Sequence, residues 1–223
     1  MSRIVWDGTG ERYFEAGVDH GVLYPMTAEG GTYGNGVAWN GLTNVTDSPE
    51  GAEPTELWAD NIKYGTLRSA ETYGGTIEAY TYPPEFEPCN GSVEVASGAY
   101  IGQQERVPFG FCYRTMIGSD TDSSADGAYK LHLVYGATVN PSEQSHDTIN
   151  DSPDASSFSW EFDTNPVPVT GHKPTATMVI DSRTANSTNL ATLEAKLYGG
   201  TSSEPTLPLP DEVIAILSTT DEE

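Results

Sequence analysis

Several stretches of the chain alternate apolar and polar residues with the period of two that marks a half-buried strand. In 76–82, Ile77 and Ala79 share one face and Glu78, Tyr80 and Tyr82 the other; in 92–96, Val93 and Val95 oppose Glu94. Phe109, Phe111 and Tyr113 alternate with Gly110, Cys112 and Arg114, and Tyr129, Leu131, Leu133 and Tyr135 alternate with Lys130, His132 and Val134. Phe158, Trp160 and Phe162 do the same against Ser159, Glu161 and Asp163. Weaker strand patterns run over 36–42, over 56–64 with irregular alternation, and over 173–181. Strands with one apolar face suit a sandwich or barrel, whereas a parallel α/β sheet needs strands apolar on both faces.

The period changes to the helical one only near the C-terminus. Asn186-Ser187-Thr188-Asn189 offers N-caps, Leu190, Leu193 and Leu197 then fall on one helical face, and Gly199-Gly200 ends the helix, predicted near 189–198. The run 201–210 is too rich in proline to continue it, and 211–217 restarts an apolar segment with Asp211 and Glu212 where a helix N-terminus favours acids. Residues 1–34 are Gly-rich and weakly periodic, predicting an arm with one short strand at most. Polar loops are expected over 44–55 and 140–157, and a hairpin connection over 118–127. The expected organisation is therefore an arm (1–34), a β-rich domain with its helix (35–200), and a C-terminal connector and tail segment (201–223). The predicted class is all-β: a sandwich or barrel of two antiparallel sheets with one flanking α-helix.

Composition agrees with that class: the 223 residues include 23 Gly, 15 Pro and 12 Tyr, and only 36% are hydrophobic. The charge is more unusual, because 33 acids against 10 Lys and Arg give a formal −23. Tight binding to a phosphate backbone is thereby disfavoured. Two uses remain, a solvated surface that keeps a concentrated protein soluble, or a wall that DNA passes without sticking. No basic-then-apolar start and no apolar run of bilayer length occurs, so a soluble protein made in the cytoplasm is expected.

No chemical signature emerges. Cys89 and Cys112 lie in no metal-ligand spacing, and a reducing compartment would keep them as thiols. The stretch 120–127 (DTDSSADG) fails the EF-hand pattern, with glycine at the eighth position and Leu131 at the twelfth. His20, His132, His146 and His172 are scattered, no nucleophile elbow, zinc pair or phosphate-binding loop is present, and the three N-x-S/T sequons read as turn and cap residues. The expectation is a protein without catalytic residues, metal or cofactor.

Three groups of segments resemble the major tail proteins, or tail tube proteins, of long-tailed phages of Gram-positive bacteria. They are Lys63-Tyr64-Gly65 with 73–86 (YGGTIEAYTYPPEF), Val107-Pro108-Phe109-Gly110-Phe111-Cys112-Tyr113-Arg114-Thr115, and 193–199 (LEAKLYG) with 207–214 (LPLPDEVI). The resemblance implies two packed antiparallel sheets with a helix alongside, and six subunits joining inner sheets into rings that stack as a tube around a DNA conduit. It also implies residence in the virion, and as partners further copies of the chain, a tape measure protein, tail assembly chaperones, tail terminator and distal tail proteins, and DNA in transit. Glu71, Glu78 and Glu94 are the expected lumen-facing charges, the latter two because they oppose apolar positions. Asn44, Asp47, Glu50 and Glu53 in the first polar loop are expected to touch the next ring. A carbohydrate-binding β-sandwich with its exposed aromatics, or a β-sandwich glycoside hydrolase using paired carboxylates, are the alternative readings.

Overall fold

The computed structural model describes residues 4, 6–27, 31–51, 54–121, 127–146, 148, 155–201 and 203–219. Twelve strands are seen among them: β1 (Tyr13–Pro25), β2 (Val37–Trp39), β3 (Leu42–Asp47), β4 (Thr55–Ala59), β5 (Ile62–Leu67), β6 (Gly74–Ala79), β7 (Val93–Ala96), β8 (Ala99–Ile101), β9 (Phe109–Ser119), β10 (Ala128–Val139), β11 (Phe158–Thr164) and β12 (Thr177–Asp181). Two helices follow, α1 (Ser187–Tyr198) and α2 (Pro210–Leu217). The class is all-β, with antiparallel pairing throughout and helices alongside.

One eight-stranded sheet runs in the order β2-β1-β9-β10-β11-β6-β3, with β12 attached to β10 off that path. Its first and last strands are joined in the chain by Asn40-Gly41 alone, so 37–47 crosses from the edge of β1 to the edge of β6 and wraps the sheet on itself. The enclosed space is filled by aromatic and aliphatic side chains: Leu23, Trp39, Ile77, Phe86, Phe109, Phe111, Val134, Trp160 and Phe162. Trp160 packs edge-on against Trp39 and Phe86, which are tilted on each other, with ring centroids 4.6 to 5.6 Å apart.

A second core lies on the other face of β1, β9 and β10. Val22, Tyr24, Cys112, Leu131, Leu133, Tyr135 and Ile180 meet Leu190, Leu193 and Leu197 of α1 and Val213 of α2 there. The helix follows from its sequence: Asn186 Oδ1 accepts the Thr188 and Asn189 N–H groups, and the three leucines form one apolar stripe. Beyond Gly199 the connector carries buried Leu207, and α2 begins at Pro210 with Asp211 and Glu212 in its first turn. Buried Asn189 donates to the Leu217 and Thr219 carbonyls, tying the end of α2 to α1. The C-terminal segment is thus a packed second helix.

The strand β10 serves both cores because it changes phase. Leu131, Leu133 and Tyr135 face the helices and Val134 the wrapped sheet; past Gly136 (φ 60°), Ala137 and Val139 face the wrapped sheet. The register against β9 jumps between Val134 and Ala137 at this bulge. The first half of β10 pairs with β12 and the second with β11.

Four sequence expectations need correction. Residues 13–25 are a 13-residue strand inside the main sheet, not part of an arm; breaks of register at Ala16/Val18 and Asp19/Val22 disrupt the period-two pattern. The loop expected from 44 begins later, because Asn44 and Asp47 belong to β3, where partly buried Val45 packs on the core. The irregular strand 56–64 is a hairpin, turned at Asp60-Asn61, both with positive φ (50° and 63°) as the mirror-image turn requires. Finally, Val93 and Val95 are exposed, so Glu94 opposes no core face.

Candidate functional site

The surface with the most unfinished structure is a four-strand section projecting past the wrapped part of the sheet. It comprises 13–19 of β1, 114–119 of β9, 128–134 of β10 and 177–181 of β12, in that order. The helices cover one face of it. The other face carries Tyr13, Glu15, Thr115, Lys130, His132, Val179 and Asp181, as the cross-strand pairs Lys130↔Thr115, His132↔Val179 and Lys130↔Asp181 require.

Among the described residues, both outer edges of this section lack a partner strand. On β1, the first pairing with β2 is at Gly21. Asp120 donates its N–H to the Arg12 carbonyl, which sets the ladder phase: Phe14 and Ala16 direct backbone groups toward β9, and Tyr13 and Glu15 direct theirs outward. On β12, the Ser182 N–H bonds Tyr129 O and the Tyr135 N–H bonds Ala176 O, so Thr177, Val179 and Asp181 point outward. Thr175 Oγ1 occupies the Thr177 groups, and the Asp181 carbonyl accepts from Thr184 and Ala185. What β12 leaves open is the N–H and C=O of Val179 and the N–H of Asp181.

The uncovered face is ion-paired internally. Lys130 Nζ bonds Glu15. Arg183 forks onto Asp181 (2.6 Å) and lies over the Tyr13 ring, holding the Asp181 carboxyl down at about 2. His132 stacks flat on Tyr113 (4.5 Å between centroids) and meets Thr115 Oγ1 at 2.9 Å. Burial pushes its pKa below the usual histidine value, outweighing the pull of Asp47 and Glu15. On the helix-covered face, Arg114 grips both oxygens of Asp19 (2.8 and 2.9 Å), which lowers that carboxyl.

Two hairpins leave the body without packing on it. In β4–β5, Leu57, Trp58, Ile62, Tyr64 and Leu67 are exposed, Trp58 at 65% and Tyr64 at 76%. In β7–β8, Val93, Val95, Tyr100 and Ile101 are exposed as well. One hairpin precedes β6 in the chain and the other follows it, so they depart from opposite ends of that strand. A lone two-stranded hairpin with apolar side chains in water is marginal at best.

The structure does not gather the acids singled out from sequence. Glu78 lies on the outward face of β6, between Ser159 and Asn44, whose Nδ2 is 3.5 Å from Glu78 Oε2. Glu94 is in the β7–β8 hairpin, where it accepts the Gly98 N–H, and Glu71 is exposed in the connector before β6. Asp47 anchors two tyrosines, accepting from Tyr73 Oη (2.6 Å) and Tyr113 Oη (3.0 Å), and Glu50 forms a backbone bridge with Thr72. Glu53 lies outside the described residues. Sequence reasoning missed the open edges, which no local pattern of residues marks.

Conventional chemistry has little to stand on among the described residues. No group of three or more His, Cys, Asp and Glu is placed to hold a metal, and no helix is long and apolar enough to cross a membrane. Cys89 and Cys112 are buried free thiols pushed up to about 12. A polar hollow of about 220 Å³ lies between Glu50, Thr72, Asn140, Glu161 and Asp163. No protein-family model matches the chain, and no curated protein matches it.

Proposed function

We propose that the chain is a tail tube subunit, assembling through its sheet edges into stacked rings around a conduit for DNA. The observation that carries this reading is the pair of open edges on opposite sides of one four-strand section. Four antiparallel strands alternate in direction, so β12 of one copy meets β1 of the next with opposite polarity. Rotation about an axis along the strands therefore continues the sheet antiparallel from copy to copy and, on closing, removes both edges. The resemblance sets the number of copies at six.

In such a ring the helices cover the outside, and the uncovered face lines the bore. Its cations, Lys130 and Arg183, are each held by a carboxylate of the same face, Glu15 and Asp181. They are thus engaged before any phosphate arrives, and the acidic excess of the whole chain opposes adhesion over a Debye length of about 8–10 Å. Glu15 and Asp181 therefore replace Glu71, Glu78 and Glu94 as the acids assigned to the bore. The two apolar hairpins, leaving opposite ends of β6, supply contacts between successive rings, and 140–146, whose Ser142 Oγ accepts the Glu161 N–H, adds a polar connection, 147 and 149–154 of that loop lying outside the described residues.

Electron microscopy of the concentrated protein tests the reading, with hollow tubes or rings as the expected result. A protein that stays monomeric at every concentration, including in the presence of tail initiator proteins, overturns it. Trp58 and Tyr64 would also suit a sugar-stacking platform; saturable glycan binding by a monomer is the outcome that would favour that alternative.

A further inference from the structure

We propose that the contact between neighbours is locked by one side chain: Phe14 of one copy seats in the groove beside β12 of the next. The inference rests on the ring reading above and names the residues that would make its lateral contact specific. The groove holds about 300 Å³ and is lined by apolar Met178, Ile180, Ala185 and Leu217 together with polar Asp181, Thr184 and Asn186. It opens on the helix-covered side of the unpaired β12 edge, where Met178 and Leu217 are only partly buried against the second core.

Phe14 stands at the opposite edge, on the same side of the sheet, and is 48% exposed. The ring lies over Gly118, in space that a Cβ there would enter at 2.5 Å. An exposed aromatic ring at one edge thus faces, across the seam, a groove at the other that offers Met178, Ile180, Ala185 and Leu217 as apolar contacts.

The ladder phases decide how the two meet. Val179 and Asp181 open outward on β12, and Tyr13 and Glu15 on β1. Antiparallel pairing of Val179 with Glu15 also pairs Asp181 with Tyr13, and so engages every backbone group left open on β12. Phe14 then stands opposite Ile180, in the non-hydrogen-bonded position where Cα atoms approach to about 4.5 Å. A slip by two residues would put it opposite Met178, still within the groove. A slip by one would turn the ring to the bore and leave outward groups facing inward ones.

Disulfide capture tests the lock. The double variant Phe14→Cys/Ile180→Cys cannot bridge within one chain, because three strand spacings, about 14 Å, separate the positions. The native thiols are buried. Oxidation under assembly conditions should give a covalent ladder ending at the ring number, while Phe14→Cys/Met178→Cys gives less. The exposed-site variant Phe14→Glu, which does not enter the core, should raise the concentration needed for assembly roughly tenfold to hundredfold, and Phe14→Leu should restore most of it. Wild-type tubes together with no ladder from either pair, or with Phe14→Glu assembling as wild type does, overturn the lock and leave the ring reading standing. Wild-type protein that never assembles overturns both.

Discussion

Replacing Gly136 with alanine tests the idea that one residue lets β10 serve two cores. Gly136 has φ 60°, a left-handed value that costs a residue with a Cβ about 1–2 kcal/mol. The added Cβ would lie 2.4 Å from the Asn165 carbonyl oxygen, so the backbone must move. The movement threatens two bonds, Gly136 N–H to Tyr33 Oη and Asn165 N–H to Gly136 O, both 2.9 Å. At about 1 kcal/mol each, their loss brings the expected total to roughly 3–4 kcal/mol. Two other glycines separate the contributions. Gly171 also has positive φ (75°) but nothing within 4 Å of its Cβ position, so its alanine variant should lose only about 1–2 kcal/mol. Gly65 has open space and no positive φ, and its change should be close to neutral. Urea unfolding followed by tryptophan fluorescence reads all three. With an m-value of about 2–3 kcal/mol/M, the Gly136→Ala midpoint should fall by roughly 1–2 M. A Gly136→Ala midpoint equal to that of Gly171→Ala would refute the collision and the role assigned to the bulge.

Three further outcomes are expected. Leu193→Ala should cost about 2–5 kcal/mol in the same assay, because Leu193 is fully buried between α1 and the sheet. His132 is protonated less readily in the fold than in the unfolded chain, so its contribution is present above the unfolded pKa of about 6.5 and declines as pH falls below it. The midpoint of wild type should drop more steeply than that of His132→Gln in that range; parallel profiles would count against the burial argument. The double variant Trp58→Ser/Tyr64→Ser should leave monomer stability within about 0.5 kcal/mol, since neither side chain packs on the body. By light scattering it should fail to lengthen into tubes, and normal elongation would remove β4–β5 from the contacts between rings.

The legible parts of the fold were those whose burial is decided locally. Phe109, Phe111 and Tyr113 alternate because one face of β9 fills the wrapped sheet, and Leu190, Leu193 and Leu197 mark α1 because one stripe meets β10. Residues set by distant partners were not legible. In β1, two breaks of register and the positive φ of Gly17 and His20 blur the period, and its place in the sheet is fixed by β9, far along the chain. Glu94 shows the converse failure: Val93 and Val95 alternate correctly around it, but both side chains stay exposed. The open edges are a property of pairing, and no run of residues announces which strand will lack a neighbour.

On the proposed ring reading, the order in which the four-strand section is made also sets when the protein can become adhesive to itself. One of its edges is β1 and the other is β12, which is made later, and the two are joined through β9 and β10. On that reading, a nascent chain that has not yet made β12 has the first edge without the second, and cannot link in series with its neighbours on the same message. Synthesis itself acts as a safety catch, released only when β12 and the helix behind it have emerged.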